Sequence, residues 1–190
     1  IQGLEVARVM PSGDGHHVEV GVGAHDREAF GMLHGDLPTP DAIRQVADVV
    51  RRHRAPGADP HPLNRLGAER WLRSRLIERP ERAYAAELAS VEPPVQRTNL
   101  KEPVPAVATG RTTEGAPLVL VTAVGIDLDL VPFAADARLR HDPEAMLRIA
   151  VPRRDAHSVL HEMAARLARP AEIIAIDDRW REWDSAASVA

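Results

Sequence analysis

From Pro117 to Val124 the chain reads Pro-Leu-Val-Leu-Val-Thr-Ala-Val, a nearly continuous apolar run of strand length. Such a run, unlike an alternating one, is what a strand buried on both faces of a sheet requires. Two further runs of strand length follow, Met146 to Val151 and Glu172 to Ile176. Between these three lie two segments with helical spacing. The first runs from Asp129 to about Arg140, with Leu130, Phe133, Ala134 and Ala137 on one side. The second runs from Ala156 to Ala168, with Val159, Leu160, Met163 and Leu167 on its apolar face, and Pro170 closes it. Strand, helix, strand, helix, strand at this spacing predicts parallel pairing with right-handed crossovers. The expected class is therefore α/β, with a C-terminal β-α-β-α-β parallel-sheet unit.

The N-terminal half is patterned differently. Leu4 to Val9 and His17 to Val22 alternate around the turn cluster Pro11 to Gly15, which predicts an antiparallel hairpin with one wet face. A loop is expected through Gly31, Gly35 and Pro38. A helix follows from Pro40 to about His53, burying Ile43, Val46, Ala47 and Val50 and ending in Arg51-Arg52-His53-Arg54 before Pro56-Gly57. A second helix is expected from Asn64, with Leu66, Trp71, Leu72 and Leu76 inward, and a third from Pro80 to Val91 with Ala83, Tyr84 and Leu88. Val104 to Thr109 reads as a strand, followed by a turn at Glu114-Gly115. Four prolines in residues 92–105 make that stretch extended and poor in backbone donors. The expected organisation is a hairpin and helical segment (1–91), a proline-rich strap or linker (92–105), an α/β core (106–177) and a tryptophan-containing tail (178–190), or all of these in one globule.

Composition narrows the class. At 190 residues, 44% hydrophobic and 27% charged, the chain can bury a core of ordinary proportions. Aromatics are only 3%, which leaves little for stacking on bases, and a net charge of −4 argues against a general polyanion binder. Nucleic acid is thus a disfavoured partner. With no cysteine there is no disulfide framework, thiolate nucleophile or zinc–thiolate site, and a cytoplasmic location is the expectation. No apolar run approaches the roughly 18 residues of a membrane span, so a membrane partner is not expected. Lys101 is the single lysine among 24 basic residues. With abundant Ala and Pro, that bias reads as a GC-rich coding sequence, and it accounts for the arginines crowding 51–82 (Arg51, Arg52, Arg54, Arg65, Arg70, Arg73, Arg75, Arg79 and Arg82) as a solvated face rather than a phosphate-binding surface.

A site is expected where parallel strands end, because loops and helix N-termini converge beyond their carboxyl ends. The three strands run into Gly125-Ile126-Asp127-Leu128-Asp129, Pro152-Arg153-Arg154-Asp155 and Asp177-Asp178-Arg179. Arg153, Arg154 and Asp155 are the candidate ligand-binding residues, the two guanidinium groups suiting a small anionic or phosphorylated ligand. Asp127, Asp129 and Asp177 are the candidate metal ligands, carboxylates of the kind that hold Mg²⁺. The plainer account has Asp129 and Asp155 capping the helices that follow them, and Asp177 and Asp178 ending a strand in water. The catalytic residues, and whether the chain is an enzyme, are open at this level.

Other motifs carry less. His157 and His161 stand one helical turn apart, a metal half-site spacing, with no evident third ligand. His16, His17, His25, His34 and Asp36 crowd the N-terminal half without a recognisable spacing. Gly21-Val22-Gly23 lacks the third glycine of a dinucleotide loop, and no Gly-x-Ser-x-Gly elbow is present. Trp180 and Trp183 in the tail read as a clamp onto the chain's own body, or as a partner anchor. The order helix, two strands, strand, helix, strand from about 64 to 176 resembles the core of the restriction-endonuclease-like nucleases. That resemblance implies an acid-x-Lys pair on the third core strand, where Leu147-Arg-Ile-Ala-Val-Pro152 has none, and hence a degenerate, nucleic-acid-binding relative. Ligand binding at the sheet edge ranks first, a non-enzymatic interaction or assembly role with homo-oligomerisation second, and the nuclease-like reading third.

Overall fold

The computed structural model describes residues 1–34, 37–95 and 103–183, and the chain divides into two units, Ile1–Leu66 and Gly67–Ala190. In the first, β1 (Ala7–Ser12) and β2 (Gly15–Val20) form the expected antiparallel hairpin, paired from Ala7–Val20 to Ser12–Gly15. α1 (Ala24–His34) occupies what the sequence suggested was loop, with Gly31 inside it. Its apolar periodicity is faint because polar contacts hold it. The Asp26 carboxylate accepts from the Val22 N–H at 2.7 Å, and Arg27 lies 3.2 Å from Glu19 and 3.7 Å from Glu5. α2 (Thr39–His53) buries Ala42, Val46, Ala47 and Val50, and its last turn is basic as expected. Arg54, just past it, is 1% exposed. Its guanidinium donates to the carbonyls of Gln2, Leu63 and Leu66, tying both ends of the unit to the close of α2.

The second unit starts with α3 (Ala68–Glu78), which buries Trp71, Leu72 and Leu76. A short 3₁₀ turn, Pro80–Ala83, leads to β3 (Ala85–Val91) instead of the expected third helix. The misreading has a physical cause. A bulge between Ala85 and Glu87 places Ala85 and Leu88 on one face at a spacing of three, which imitates a helix in a run of Ala, Glu and Leu. The partner strand β4 (Ala106–Thr112) accommodates that bulge through Gly110, where an added Cβ would lie 1.9 Å from the Glu87 carbonyl oxygen. Gly110→Ala is therefore expected to cost about 1–3 kcal/mol through forced backbone displacement. Urea denaturation of the variant measures it, and an unchanged midpoint would show that the bulge yields freely.

The remaining elements are β5 (Pro117–Thr122), α4 (Leu130–His141), β6 (Met146–Pro152), α5 (Ser158–Ala165) and β7 (Glu172–Ile176). The sheet order is β3-β4-β5-β6-β7. β3, β4 and β5 form an antiparallel meander, and β5, β6 and β7 are parallel, so the predicted β-α-β-α-β unit is present within a mixed five-stranded sheet. Together with the hairpin and five helices among the described residues, this makes an α/β fold. One face packs Val119, Val121, Leu147, Ile149 and Val151 against α4 and α5. The other packs Leu118, Leu120, Ala150 and Ile176 against Trp71, Leu72 and Leu76 of α3 and against Trp180. Both faces of β5 are covered, as its unbroken apolar run requires.

Of the arginines assigned to a solvated face, Arg54 and Arg75 are buried and Arg73 is half-buried. Arg73 donates to the carbonyls of Val91 (3.2 Å) and Val107 (2.9 Å). Arg75 is buried and donates to Glu78 at 3.0 Å. Burial and the neighbouring charge of Arg70 push the Arg73 pKa below the usual guanidinium value, with Glu92 opposing. The proline-rich stretch is described only in part, residues 96–102 lying outside the described residues, as does the 184–190 portion of the tail. No helix among the described residues is long and apolar enough to cross a membrane.

Candidate functional site

Three short peptides meet beyond the carboxyl ends of β5, β6 and β7, and two side-chain bonds join them. The Asp155 carboxylate accepts from the Gly125 N–H at 2.8 Å, linking the β6 end to the β5 loop. Asp178 accepts from the Arg154 N–H at 3.1 Å, linking the β7 end to β6. Gly125 adopts φ +88°, a left-handed conformation that glycine enters without a Cβ clash, and this turns its N–H toward Asp155. Within the loops, Asp127 accepts from the Asp129 N–H (2.9 Å) and Asp177 from the Arg179 N–H (2.8 Å). The last two bonds, each spanning two residues, belong to the short-range turn chemistry that Asp side chains favour, whereas those of Asp155 and Asp178 bridge segments 30 and 24 residues apart.

These bonds place the predicted residues. Arg153, Arg154 and Asp155 form a 3₁₀ turn immediately after β6, with the Asp155 side chain 10% exposed and the Arg154 side chain 56% exposed. Asp155 thus holds the β5 loop; the helix-capping role belongs by position to His157, which makes no side-chain cap bond. Asp129 does stand at the N-cap of α4, again without a side-chain cap bond. Asp127 and Asp129 lie on the β5 loop, and Asp177 follows β7. Among the described residues no group of three or more His, Asp or Glu side chains is gathered so as to hold a metal ion. His157 is the N-cap of α5 and His161 lies one turn on, the His157 carbonyl accepting from the Leu160 N–H at 3.0 Å. His16, His17 and His25 fall on β2 and α1, Asp36 lies outside the described residues and only the backbone of His34 is described.

Arg181 was missed in the sequence. The tail beyond β7 turns at Trp180–Glu182 and buries Trp180 completely, its ring meeting Trp71 edge-on at 5.3 Å. The Arg181 guanidinium lies 4.3 Å from the Trp180 ring centroid and 5.5 Å from that of Trp71. Burial pushes the Arg181 pKa down, and the nearby charge of Arg154 pushes it further, against the opposing pull of Glu69 and Asp155. Two guanidinium groups therefore share this edge closely enough to repel. Beside them the β5 loop raises Ile126 and Leu128, 75% and 77% exposed. The Arg-Trp-Arg order of residues 179–181 was the available signal, but only the tail's return onto α3 gives it meaning.

The third strand of the sheet is β5, whose Pro117-Leu-Val-Leu-Val-Thr122 contains neither acid nor lysine, and Leu147 to Pro152 belongs to the fourth. The pair that the nuclease resemblance implies is absent from both strands. Comparison of the chain with protein-family models, with curated proteins and with solved structures finds no match.

Proposed function

We propose that this chain binds a small anionic ligand, such as a phosphate ester or carboxylate, at the carboxyl edge of β5, β6 and β7. One observation carries the reading. Asp127, Asp155, Asp177 and Asp178 at that edge are committed to backbone N–H groups, while Arg153, Arg154 and Arg181 keep cationic heads there. The carboxylates thus act as staples and the guanidinium groups are what the edge offers. Arg154 retains a loose approach to Asp155, 3.8 Å. An anion between Arg154 and Arg181 would relieve their repulsion, and the planar forks would bind its oxygens bidentately. Ile126 and Leu128 would supply an apolar wall for the rest of the ligand.

Scanning calorimetry with inorganic phosphate, sugar phosphates, nucleotides and dicarboxylates tests this. A ligand at about a hundredfold excess over its Kd stabilises the folded state by roughly 2.7 kcal/mol. At least one compound is expected to raise the midpoint, and Arg154→Ala, at an exposed position, is expected to abolish the rise while leaving the unliganded midpoint in place. Mg²⁺ alone should leave the midpoint unchanged. A flat response across the panel, or a rise that survives Arg153→Ala and Arg154→Ala together, would remove the edge from consideration.

A further inference from the structure

We infer that the free edge of β7 is a strand-addition site for an extended peptide carrying a basic side chain. Among the described residues β7 closes the sheet and pairs only with β6. In a parallel ladder alternate residues give their N–H and C=O to the neighbour, so the intervening residues of an edge strand present theirs outward. Proteins blunt such edges with bulges, charges or prolines, and the opposite edge shows all three: β3 carries the bulge at Ala85/Glu87 and the charge of Glu87, and Pro93-Pro94 follow it. β7 reads Glu-Ile-Ile-Ala-Ile in unbroken register, with no bulge; Pro170 precedes it, and its one charge, Glu172, is paired with Arg148 at 2.7 Å.

A groove follows this unprotected edge. It is open, about 740 Å³, and its lining includes the four consecutive residues Ala171 to Ile174. A concavity that runs along three consecutive residues of an edge strand, Glu172 to Ile174, suits an extended chain better than a compact metabolite. Its walls lie on both sides of the sheet: His161 and Ala165 of α5 on one, Tyr84, Glu114 and Arg148 on the other. An added strand sends alternate side chains toward the two walls, which is how such sites combine backbone affinity with side-chain selectivity.

The wall charge selects the guest. Arg148 is buried, and its guanidinium is spent on Glu172 at 2.7 Å and on the carbonyls of Tyr84 (2.7 Å) and Ala83 (3.3 Å). Glu114 is left as an exposed carboxylate at the mouth, hydrogen-bonded by Thr113 at 2.7 Å, and that bond is the main reason its pKa lies below the usual range. Tyr84, held at φ +52° with its carbonyl pinned by Arg148, leaves its side chain 61% exposed beside it. An aromatic face next to a free carboxylate receives the stem and head of a lysine or arginine. β7 contains no basic residue, so a second copy of the same strand would not supply that partner.

Isothermal titration calorimetry with four synthetic nine-residue peptides tests the inference: an alternating Thr-Val sequence with a central arginine, the same with a central glutamate, and two versions of the arginine peptide N-methylated at alternate amides, one in each frame. The arginine peptide is expected to bind, the glutamate peptide about tenfold more weakly or not at all, and one N-methylated frame to lose binding completely. Glu114→Gln, at an exposed turn position that preserves the fold, should weaken the arginine peptide about tenfold. Absence of binding by the arginine peptide, or indifference to N-methylation, overturns the proposal. So does a homodimer in sedimentation equilibrium that Ala175→Lys dissociates, which would assign the edge to a second copy.

Discussion

Truncating Trp180 to alanine is expected to destabilise the unit Gly67–Ala190 by about 3–5 kcal/mol, the usual cost of removing a fully buried aromatic side chain. The ring is 0% exposed and packs with Trp71, Leu118, Leu120, Ala150 and Ile176 on one face of the sheet. Its Nε1–H is buried and finds no hydrogen-bond partner among the described residues, so its contribution is apolar contact and shape. Trp180→Phe keeps the edge contact with Trp71 and discards the unsatisfied donor, and should recover most of the loss. Urea denaturation followed by far-UV circular dichroism distinguishes the three proteins. A loss below about 1 kcal/mol for the alanine variant would mean that the tail does not close this face. Because Arg181 rests on the same ring, Trp180→Ala should also weaken any anion bound at the strand ends, more than its effect on stability alone predicts.

Arg54→Met should be nearly as damaging, but in the other unit. The substitution keeps the length of the buried stem and removes the donors that reach Gln2, Leu63 and Leu66. A buried acceptor stripped of its donor costs about 1–3 kcal/mol, and since the Leu63 carbonyl keeps the Leu66 N–H at 3.2 Å, the loss falls mainly on Gln2 and Leu66 and should reach roughly 2 kcal/mol or more. The apolar core available to compensate is small: Leu4, Val20, Val22 and four residues of α2. Arg54→Lys should rescue little, because a single ammonium cannot span carbonyls that a planar fork reaches in different directions. Hydrogen exchange read by mass spectrometry is expected to show lost protection across residues 1–66 and retained protection in β4, β5 and β6. Uniform loss throughout the chain would instead mean that the two units unfold as one.

The sequence was most legible where burial leaves a single pattern. Pro117 to Val124 and Met146 to Val151 had to be interior strands, and the helices fixed parallel pairing and the location of the strand ends. Glu172 to Ile176 reads as a third buried strand, but β7 lies at the sheet edge with only Ile176 buried, because an apolar run of this length does not reveal a missing neighbour. Legibility failed where side-chain polarity does the structural labour. α1 is fastened by Asp26 and Arg27 rather than by an apolar stripe, so Gly31 was mistaken for a loop residue. β3 was hidden by its bulge. Arg54, Arg73 and Arg75 were assigned to a solvated face because composition carries no record of which guanidinium groups turn inward toward carbonyls. At the strand ends, Arg153, Arg154 and Asp155 are candidates from position alone. The division of labour between stapling acids and presented arginines was not visible there, since it depends on Gly125 and Asp178 coming from strands distant in sequence. Arg181 was invisible for the same reason.

Trp71, Tyr84, Trp180 and Trp183, every tryptophan and tyrosine in the chain, lie beyond residue 66. Ultraviolet absorbance, intrinsic fluorescence and near-ultraviolet dichroism of tyrosine and tryptophan therefore report on the second unit and are silent on the first. A melting curve recorded by emission would register Trp180→Ala in full and could miss the collapse caused by Arg54→Met. Divergence between emission and a backbone-sensitive signal would then be the optical signature of the hairpin unit unfolding alone. A tryptophan introduced at exposed Val9 of the hairpin would give that unit a chromophore of its own.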